Sequence, residues 1–408
     1  MAKEVLKGNA VVGQSGGPTV VINQSLVGVI EEARNFSGIK KLLGAHHGVR
    51  GMKAGDFADL KKLSPALLEK IAATPAAALG STRDKPDEEY CKGIFDTFEK
   101  NNVRYFFYIG GNDSADTARI ISELAQLVKY ELRVFHICKT IDNDLRATDH
   151  CPGYGSAARF VACAVMGDDR DNASLPGVKI DIIMGRNAGW LTAASALARQ
   201  SEGDGPHLIY LPERPVSEQQ FCADVKSVYE KYGRCLVAAS EGIVDENKKL
   251  WVEKAKSSGE VDDHGNKQLS GTGSLGDYLA ELVKTDVSAL LGGKKLRVRA
   301  DTFGYLQRSF AGFASPVDAK EARQCGRKAV QLAKAGYVNG SVVMKRKSGS
   351  KYAVSFERAE LRAVARETRP LPEEFVAANG HDVTPAFLKY VRPLVGPLPE
   401  TGKVPFGK

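Results

Sequence analysis

Four short blocks of this chain combine glycine with charged or hydroxyl side chains at spacings that suit phosphate chemistry. The segment Lys139-Thr-Ile-Asp-Asn-Asp144 follows the apolar run RVFHI. On an extended backbone Thr140, Asp142 and Asp144 face one side while Lys139, Ile141 and Asn143 face the other, so two carboxylates and a hydroxyl converge. Phosphoryl transfer to an alcohol needs a carboxylate to accept the hydroxyl proton and a divalent metal on the phosphate oxygens, and paired aspartates supply both. A solvated acidic turn is the plainer alternative. Gly110-Gly-Asn-Asp-Ser114 stands between the run YFFYI and a helix. Its two glycines permit close backbone approach, and Asp113 or Ser114 is placed to cap the helix. Met184-Gly-Arg-Asn-Ala-Gly-Trp190 ends another strand and sets Arg186 where charge on a transferring phosphoryl group could be stabilised; a surface arginine at a helix start is the alternative. Gly13-Gln-Ser-Gly-Gly-Pro-Thr19 carries Gly16 close to any phosphate at the first strand end. It lacks both G-x-G-x-x-G and a P-loop lysine, and a glycine-rich turn alone would also account for it.

The elements that must hold these blocks alternate in type. Asn9–Val12, Leu42–Ala45, Tyr105–Ile109, Arg133–Ile137, Val178–Met184, His207–Leu211 and Leu236–Ser240 read as strands. Between them Asn23–Asn35, Pro65–Ala73, Glu88–Asn101, Ser114–Tyr130, Gly155–Arg170, Trp190–Arg199 and Ser217–Tyr232 read as helices, most with an apolar stripe. Such βα units predict an α/β fold with mostly parallel sheets flanked by helices, and ligands then bind beyond the carboxyl ends of the strands, where helix N-termini favour anions. Residues 244–274 break the alternation and read as an insertion with a hairpin or flap. The pattern resumes with strands Leu296–Asp301 and Ser341–Met344 around the helix Asp318–Ala335. The proline-rich tail from Arg369 reads as a wrapping segment with short helices.

At 408 residues the chain predicts two or three domains. Its 41 glycines, about a tenth of the residues against the usual ~7%, suggest many tight loops over ligands. The net charge of +8 is spread along the chain without a basic block, which argues against nucleic acid and for small anionic ligands. Seven cysteines without C-x-x-C pairs fit a reduced, cytoplasmic interior. No apolar run approaches the ~20 residues of a membrane span, and no leader pattern opens the chain.

The four blocks in this order resemble the phosphofructokinase superfamily, from Val11 to about Pro316. Further blocks match: Gly80-Ser-Thr-Arg83, Ser240-Glu-Gly242, and Gly304-Tyr-Leu-Gln-Arg308 preceded by Arg299. The resemblance implies two Rossmann-like three-layer domains with the active site in the cleft: residues 1–150 plus about 307–368 for the phosphoryl donor, 151–306 for the sugar phosphate with its insertion near 244–274, and 369–408 as the wrapping tail. It implies Asp142 as base, with Thr140 and Arg186 stabilising the transferring group. It places Gly16, Arg83, Asp113 and Lys139 around the donor. Met184, Gly185, Arg186, Glu241, Arg299, Tyr305 and Arg308 hold the sugar phosphate with Thr140, Asp142 and Asp144, and Asp113 and Asp144 hold Mg²⁺.

ATP users of the superfamily typically have glycine at the position of Asp113 and often at that of Lys139; here both are bulky and charged. Asp113 would crowd and repel an α-phosphate, and Lys139 could neutralise the departing phosphate, so the inference leans on Asp113. With Cys151–Arg159, this resembles the pyrophosphate-dependent branch. The expected reaction is reversible transfer from pyrophosphate to the 1-hydroxyl of fructose 6-phosphate, in a cytoplasmic homodimer or homotetramer without nucleic acid or membrane partners. Sedoheptulose 7-phosphate stays open as an alternative acceptor. An ATP-dependent member is the nearer rival, to be separated by assay with each donor, and a catalytically silent sugar-phosphate sensor is another, disfavoured because the carboxylates at 142 and 144 remain. Three positions depart from the pattern: Asn112 stands for a metal-associated aspartate, Tyr305 for a histidine, and Gly177 and Val178 where an arginine is usual, with Lys179 the nearest cation.

Overall fold

The structure, a computed structural model, describes residues 5–255, 273–365 and 367–404. The chain divides into two compact units, Met1–Ser156 with Arg308–Arg369, and Ala157–Gln307 with Pro370–Lys408. Eleven strands are present among the described residues: β1 (Gly8–Gln14), β2 (Ile39–Ala45), β3 (Phe57–Asp59), β4 (Val103–Gly110), β5 (Arg133–Cys138), β6 (Val178–Ile183), β7 (Leu208–Tyr210), β8 (Cys235–Ser240), β9 (Val298–Thr302), β10 (Asn339–Arg346) and β11 (Val354–Ala359).

In the first unit the strand order is β11-β10-β5-β4-β1-β2-β3. The five central strands run parallel, and β3 and β11 add antiparallel edges. Side-chain alternation feeds two cores. Ala10, Val12, Tyr105, Phe107 and Ile109 enter one, with the helices Ile22–Arg34 and Pro316–Lys334. Val11, Phe106 and Tyr108 enter the other, with Glu88–Lys100 and Asn112–Leu127. A sheet buried on both faces needs near-continuous apolar strands, as YFFYI displays. The two edge strands escape the sequence reading because β3 has three residues and β11 carries charged side chains on an edge.

The second unit has the parallel sheet β7-β8-β6-β9. The helix read at Trp190–Arg199 is α-helical only to Ala193 and then tightens to a 3₁₀ turn. The stretch read as an insertion opens with an antiparallel bridge between Val244 and Leu250, and Trp251 is buried against Phe221; its part from 256 to 272 lies outside the described residues. Of the tail, Pro385–Val395 is helical and brings Tyr390, with Phe375, onto Trp190 at ring separations of 5.2 and 5.8 Å. Among the described residues no helix is long and apolar enough to cross a membrane.

Two glycines set the closest helix contact of the first unit. A β-carbon at Gly326 would be driven into the carbonyl oxygen of Ser25, and one at Gly28 into that of Arg323; the Ser25 hydroxyl donates across the same contact to Ala322 at 3.0 Å. Gly326→Ala should therefore destabilise the protein by about 1–3 kcal/mol through overpacking, despite the better helix propensity of alanine. Gly167, whose added β-carbon meets nothing within 4 Å, is the control: Gly167→Ala should hold or raise the melting temperature while Gly326→Ala lowers it.

Candidate functional site

From β1 the sheet is built outward to β2 and β3 on one side and then to β4 and β5 on the other, so the crevice at the carboxyl ends of β1 and β4 is the ligand position of a doubly wound sheet. Three of the four blocks lie on loops leaving β1, β4 and β5. In the first, Gly16 has φ +73°, a conformation that favours glycine. Its N–H donates to the Thr82 carbonyl at 2.9 Å and its own carbonyl accepts from the Ser81 hydroxyl at 2.6 Å, which ties the Gly80–Arg83 block to this loop.

Lys139, the first residue after β5, is buried, and its ammonium donates to the Gly17 carbonyl at 2.7 Å. Burial first, then the charges of Arg308 and Arg83, hold its pKa down to about 8, against the opposing pull of Asp142 and Asp144. A β-carbon at Gly17 would stand 2.8 Å from the Arg308 guanidinium. Three cations and two carboxylates thus surround one loop, which suits a small, highly charged anion.

The 139–144 segment is not extended, which corrects the alternation expected of it. Thr140 Oγ accepts the Asp142 N–H at 3.1 Å, turning the chain, and Asn143 takes φ +55°. Asn143 then points inward, where its side-chain oxygen accepts the Cys151 N–H at 3.0 Å. Local side-chain bonding has displaced the strand conformation. Asp142 and Asp144 nevertheless stay within electrostatic reach: burial, then Asp142, push the Asp144 carboxyl above the usual carboxylate range. The Asp144 carboxylate suits Mg²⁺, which takes one or two carboxylates together with phosphate oxygens and water. Asp113 faces Lys85 instead, at 3.3 Å. Neither Asp113 nor Ser114 caps the helix Asn112–Leu127: Gly111 is the N-cap, without a side-chain bond, and Asn112 accepts the Asp113 N–H at 3.0 Å. Asp113 lies instead in the first helical turn, where the helix dipole favours its charge.

In the second unit, the loops after β6 and β8 interlock. The Ser240 hydroxyl donates to the Gly185 carbonyl at 2.6 Å and the Glu241 N–H to Ile183 at 2.9 Å. Gly242 lies so close to the Arg186 carbonyl that no side chain fits there. Met184, Gly185, Arg186 and Glu241 are thereby brought together. The Met184 N–H also donates to Gln307 at 3.1 Å. Arg299 sits on β9 and Tyr305 is exposed.

The sequence pattern of phosphofructokinases matches residues 9–333. The chain belongs to the phosphofructokinase family. It is 53% identical over 96% of its length to a pyrophosphate–fructose 6-phosphate 1-phosphotransferase of Rhodospirillum rubrum, of which it covers 95%. It is 38% identical over 95% of its length to a protein of that name from Xanthomonas campestris pv. campestris, of which it covers 91%. The solved structure of a pyrophosphate-dependent phosphofructokinase from Nitrosospira multiformis superposes with a TM-score of 0.84 at 32% identity, covering 97% of this chain and 94% of that one.

Within this phosphofructokinase, Gly16, Arg83, Lys139, Thr140, Asp142, Asp144 and Arg308 belong to the first unit, where Arg308 lies at Gly17 and acts on Lys139. Several supporting residues escaped the sequence reading. His136, driven down to about 4 by burial, is neutral; its Nε2–H donates to the Gly110 carbonyl at 2.9 Å and its Nδ1 accepts from Ser341 at 2.8 Å. Asp318 accepts the N–H groups of Gly153 and Ser156, both at 2.9 Å, and Glu213 accepts those of Gly189 and Leu371 at 2.9 and 2.8 Å. No local pattern marks such partners, which lie far away in sequence. Asn143 did carry a signal, since asparagine tolerates the left-handed region.

Lys139 is charged below about pH 8 and neutral above it. Binding of pyrophosphate, followed by calorimetry, should therefore weaken as the pH is raised through that value. Lys139→Arg keeps its charge throughout and should show a flatter profile, and comparing the two cancels the titration of pyrophosphate itself. Parallel profiles would place the anion away from Lys139.

Proposed function

We propose that this chain is a pyrophosphate-dependent phosphofructokinase, transferring a phosphoryl group reversibly from pyrophosphate to the 1-hydroxyl of fructose 6-phosphate. The observation that carries the reading is the buried Lys139 ammonium at the Gly17 carbonyl, flanked by Arg308 and the carboxylates of Asp142 and Asp144. The names borne by its relatives agree with it.

In this mechanism Asp142 accepts the proton of the sugar hydroxyl as that oxygen bonds to phosphorus and the bridging P–O bond of pyrophosphate breaks. Gly16, Arg83 and Lys139 hold pyrophosphate, and Lys139 neutralises the departing phosphate. Thr140 and Arg186 stabilise the transferring group. Met184, Gly185, Glu241, Arg299 and Tyr305 hold the sugar phosphate. Arg308, from beside Gly17, holds the sugar phosphate with them. Mg²⁺, held by Asp144 and reached by Asp113 only if Asp113 leaves Lys85, supplies charge neutralisation on phosphate oxygens when bound. The proposed setting is a cytoplasmic homodimer or homotetramer.

A steady-state assay with pyrophosphate and with ATP tests the reading: turnover with pyrophosphate and little with ATP is expected, and preference for ATP overturns it. Asp142→Asn should lower kcat by roughly 10² or more while the KM for fructose 6-phosphate changes little; near-normal turnover would remove Asp142 from the role of base.

Donor choice gives a second test. Asp113→Gly removes a charge from the space of an α-phosphate and releases Lys85, so kcat/KM for ATP should rise and that for pyrophosphate fall. Adding Lys139→Gly should weaken pyrophosphate further without creating an efficient ATP enzyme. An unchanged donor ratio in Asp113→Gly would show that this position does not exclude nucleotides.

A further inference from the structure

Strand alternation sets charged side chains on one face of the second sheet. On β6, Val178, Ile180 and Ile182 enter an apolar core with residues of the helices Glu218–Tyr232 and Ser274–Leu282, while Lys179 and Asp181 project to the opposite face. Asp181 is fully buried, and no N–H group or hydroxyl donates to either of its carboxylate oxygens; Asp168 is the side chain within hydrogen-bonding reach of it. Its ladder neighbour on β9 is Asp301. Asp168, on the helix Tyr154–Ser174, completes a group in which one oxygen from each carboxylate lies within 4.8 Å of the others. Lys179 pairs with Asp301 and stands 3.5 Å from Asp168. None of these four residues takes part in the phosphate chemistry proposed above.

Three carboxylates bring three negative charges and Lys179 returns one, leaving two. A buried carboxylate without a hydrogen-bond donor is strongly unfavourable as an anion and is relieved either by a proton or by a cation beyond Lys179. One divalent cation cancels the remainder. We infer that Asp168, Asp181 and Asp301 form a second cation site, selective for hard divalent ions such as Mg²⁺, Ca²⁺ or Mn²⁺, with Lys179 as a fixed neighbouring charge. The all-oxygen donor set suits those ions and lacks the imidazole or thiolate that zinc and copper prefer. Asp301, with its side chain 61% exposed, gives the ion a way in. The ion ties β6, β9 and the helix together just before β6 runs into Met184-Gly185-Arg186, so it stiffens the strand that presents that block.

Equilibrium dialysis of the full chain with Mn²⁺ alone, without pyrophosphate, tests this. Wild type should bind one ion per chain and melt at a higher temperature as Mn²⁺ is added. Asp301→Asn and Asp181→Asn should lose both effects, and Asp301→Asn keeps the test open should the buried change prevent folding. Asp144→Asn should retain the ion. Lys179→Met, which removes a repelling charge, should tighten Mn²⁺ by about tenfold or more. Absence of binding in wild type, the signature of a proton on Asp181 instead, overturns the inference. So does an ion that survives Asp301→Asn, one lost in Asp144→Asn, or an affinity that Lys179→Met does not raise.

Discussion

A lysine ammonium taken out of water must be met by oxygen, and much of the first unit meets that demand at Lys139. The Gly17 carbonyl that receives the ammonium is free to do so because the loop after β1 turns through Gly16 in the left-handed region and is pinned to Thr82 and Ser81. The backbone N–H of Lys139 donates to Gly110 at 2.9 Å, and the same carbonyl receives neutral His136. The ends of β1, β4 and β5 are thus joined through one residue. Moving any of the three loops would strand the charge, so the position of the anion site follows from the cost of burying that ammonium.

The second unit solves a different problem with the same parts. Its two glycine-bearing loops interlock through one hydroxyl and the backbone: the Ser240 hydroxyl to Gly185, the Glu241 N–H to Ile183, and Gly242 packed on Arg186. That leaves the Arg186 and Glu241 side chains to be aimed by a backbone that cannot shift without breaking its own hydrogen bonds. Glu213 extends the anchoring by accepting from Gly189 and from Leu371 of the tail. The proline-rich tail therefore braces the Met184–Trp190 block, with Trp190 itself packed edge-to-face against Phe375 and at a tilt against Tyr390.

What could be read directly from the chain was whatever is local. Apolar strands, the glycine-bearing loops at their ends and the α/β class all follow from patterns within about twenty residues, and the family resemblance joined them into one constellation. Three kinds of feature were not legible. Edge strands such as β11 look polar because one side faces water. The turn at Asn143 depends on Cys151, whose N–H rewards the left-handed conformation only once the following loop has folded back. Partners such as His136 and Asp318 are selected by distant strands and loops, and neither residue type nor spacing announces them. The buried Asp181 belongs with these: in sequence it is one polar residue in the run VKIDII, and only the neighbouring strand and helix reveal that two more carboxylates meet it.

Under the proposed function, donor choice becomes a question of where charge is fixed and where it is free to move. A carboxylate at 113 in the first turn of its helix is stabilised by the helix dipole and balanced by Lys85 from outside, so it persists without needing a ligand. Lys139 is the opposite case: burial makes its charge costly, as its lowered pKa records, and an arriving polyanion relieves that cost. Binding energy is therefore concentrated on an anion small enough to reach the Gly17 loop. A nucleotide would draw on the same cation with its terminal phosphates while setting its next phosphate toward Asp113. Discrimination of this kind needs no pocket shaped against adenine: the attraction to buried Lys139 resists salt, whereas the repulsion from Asp113, whose side chain is 56% exposed, is the part that added salt should screen.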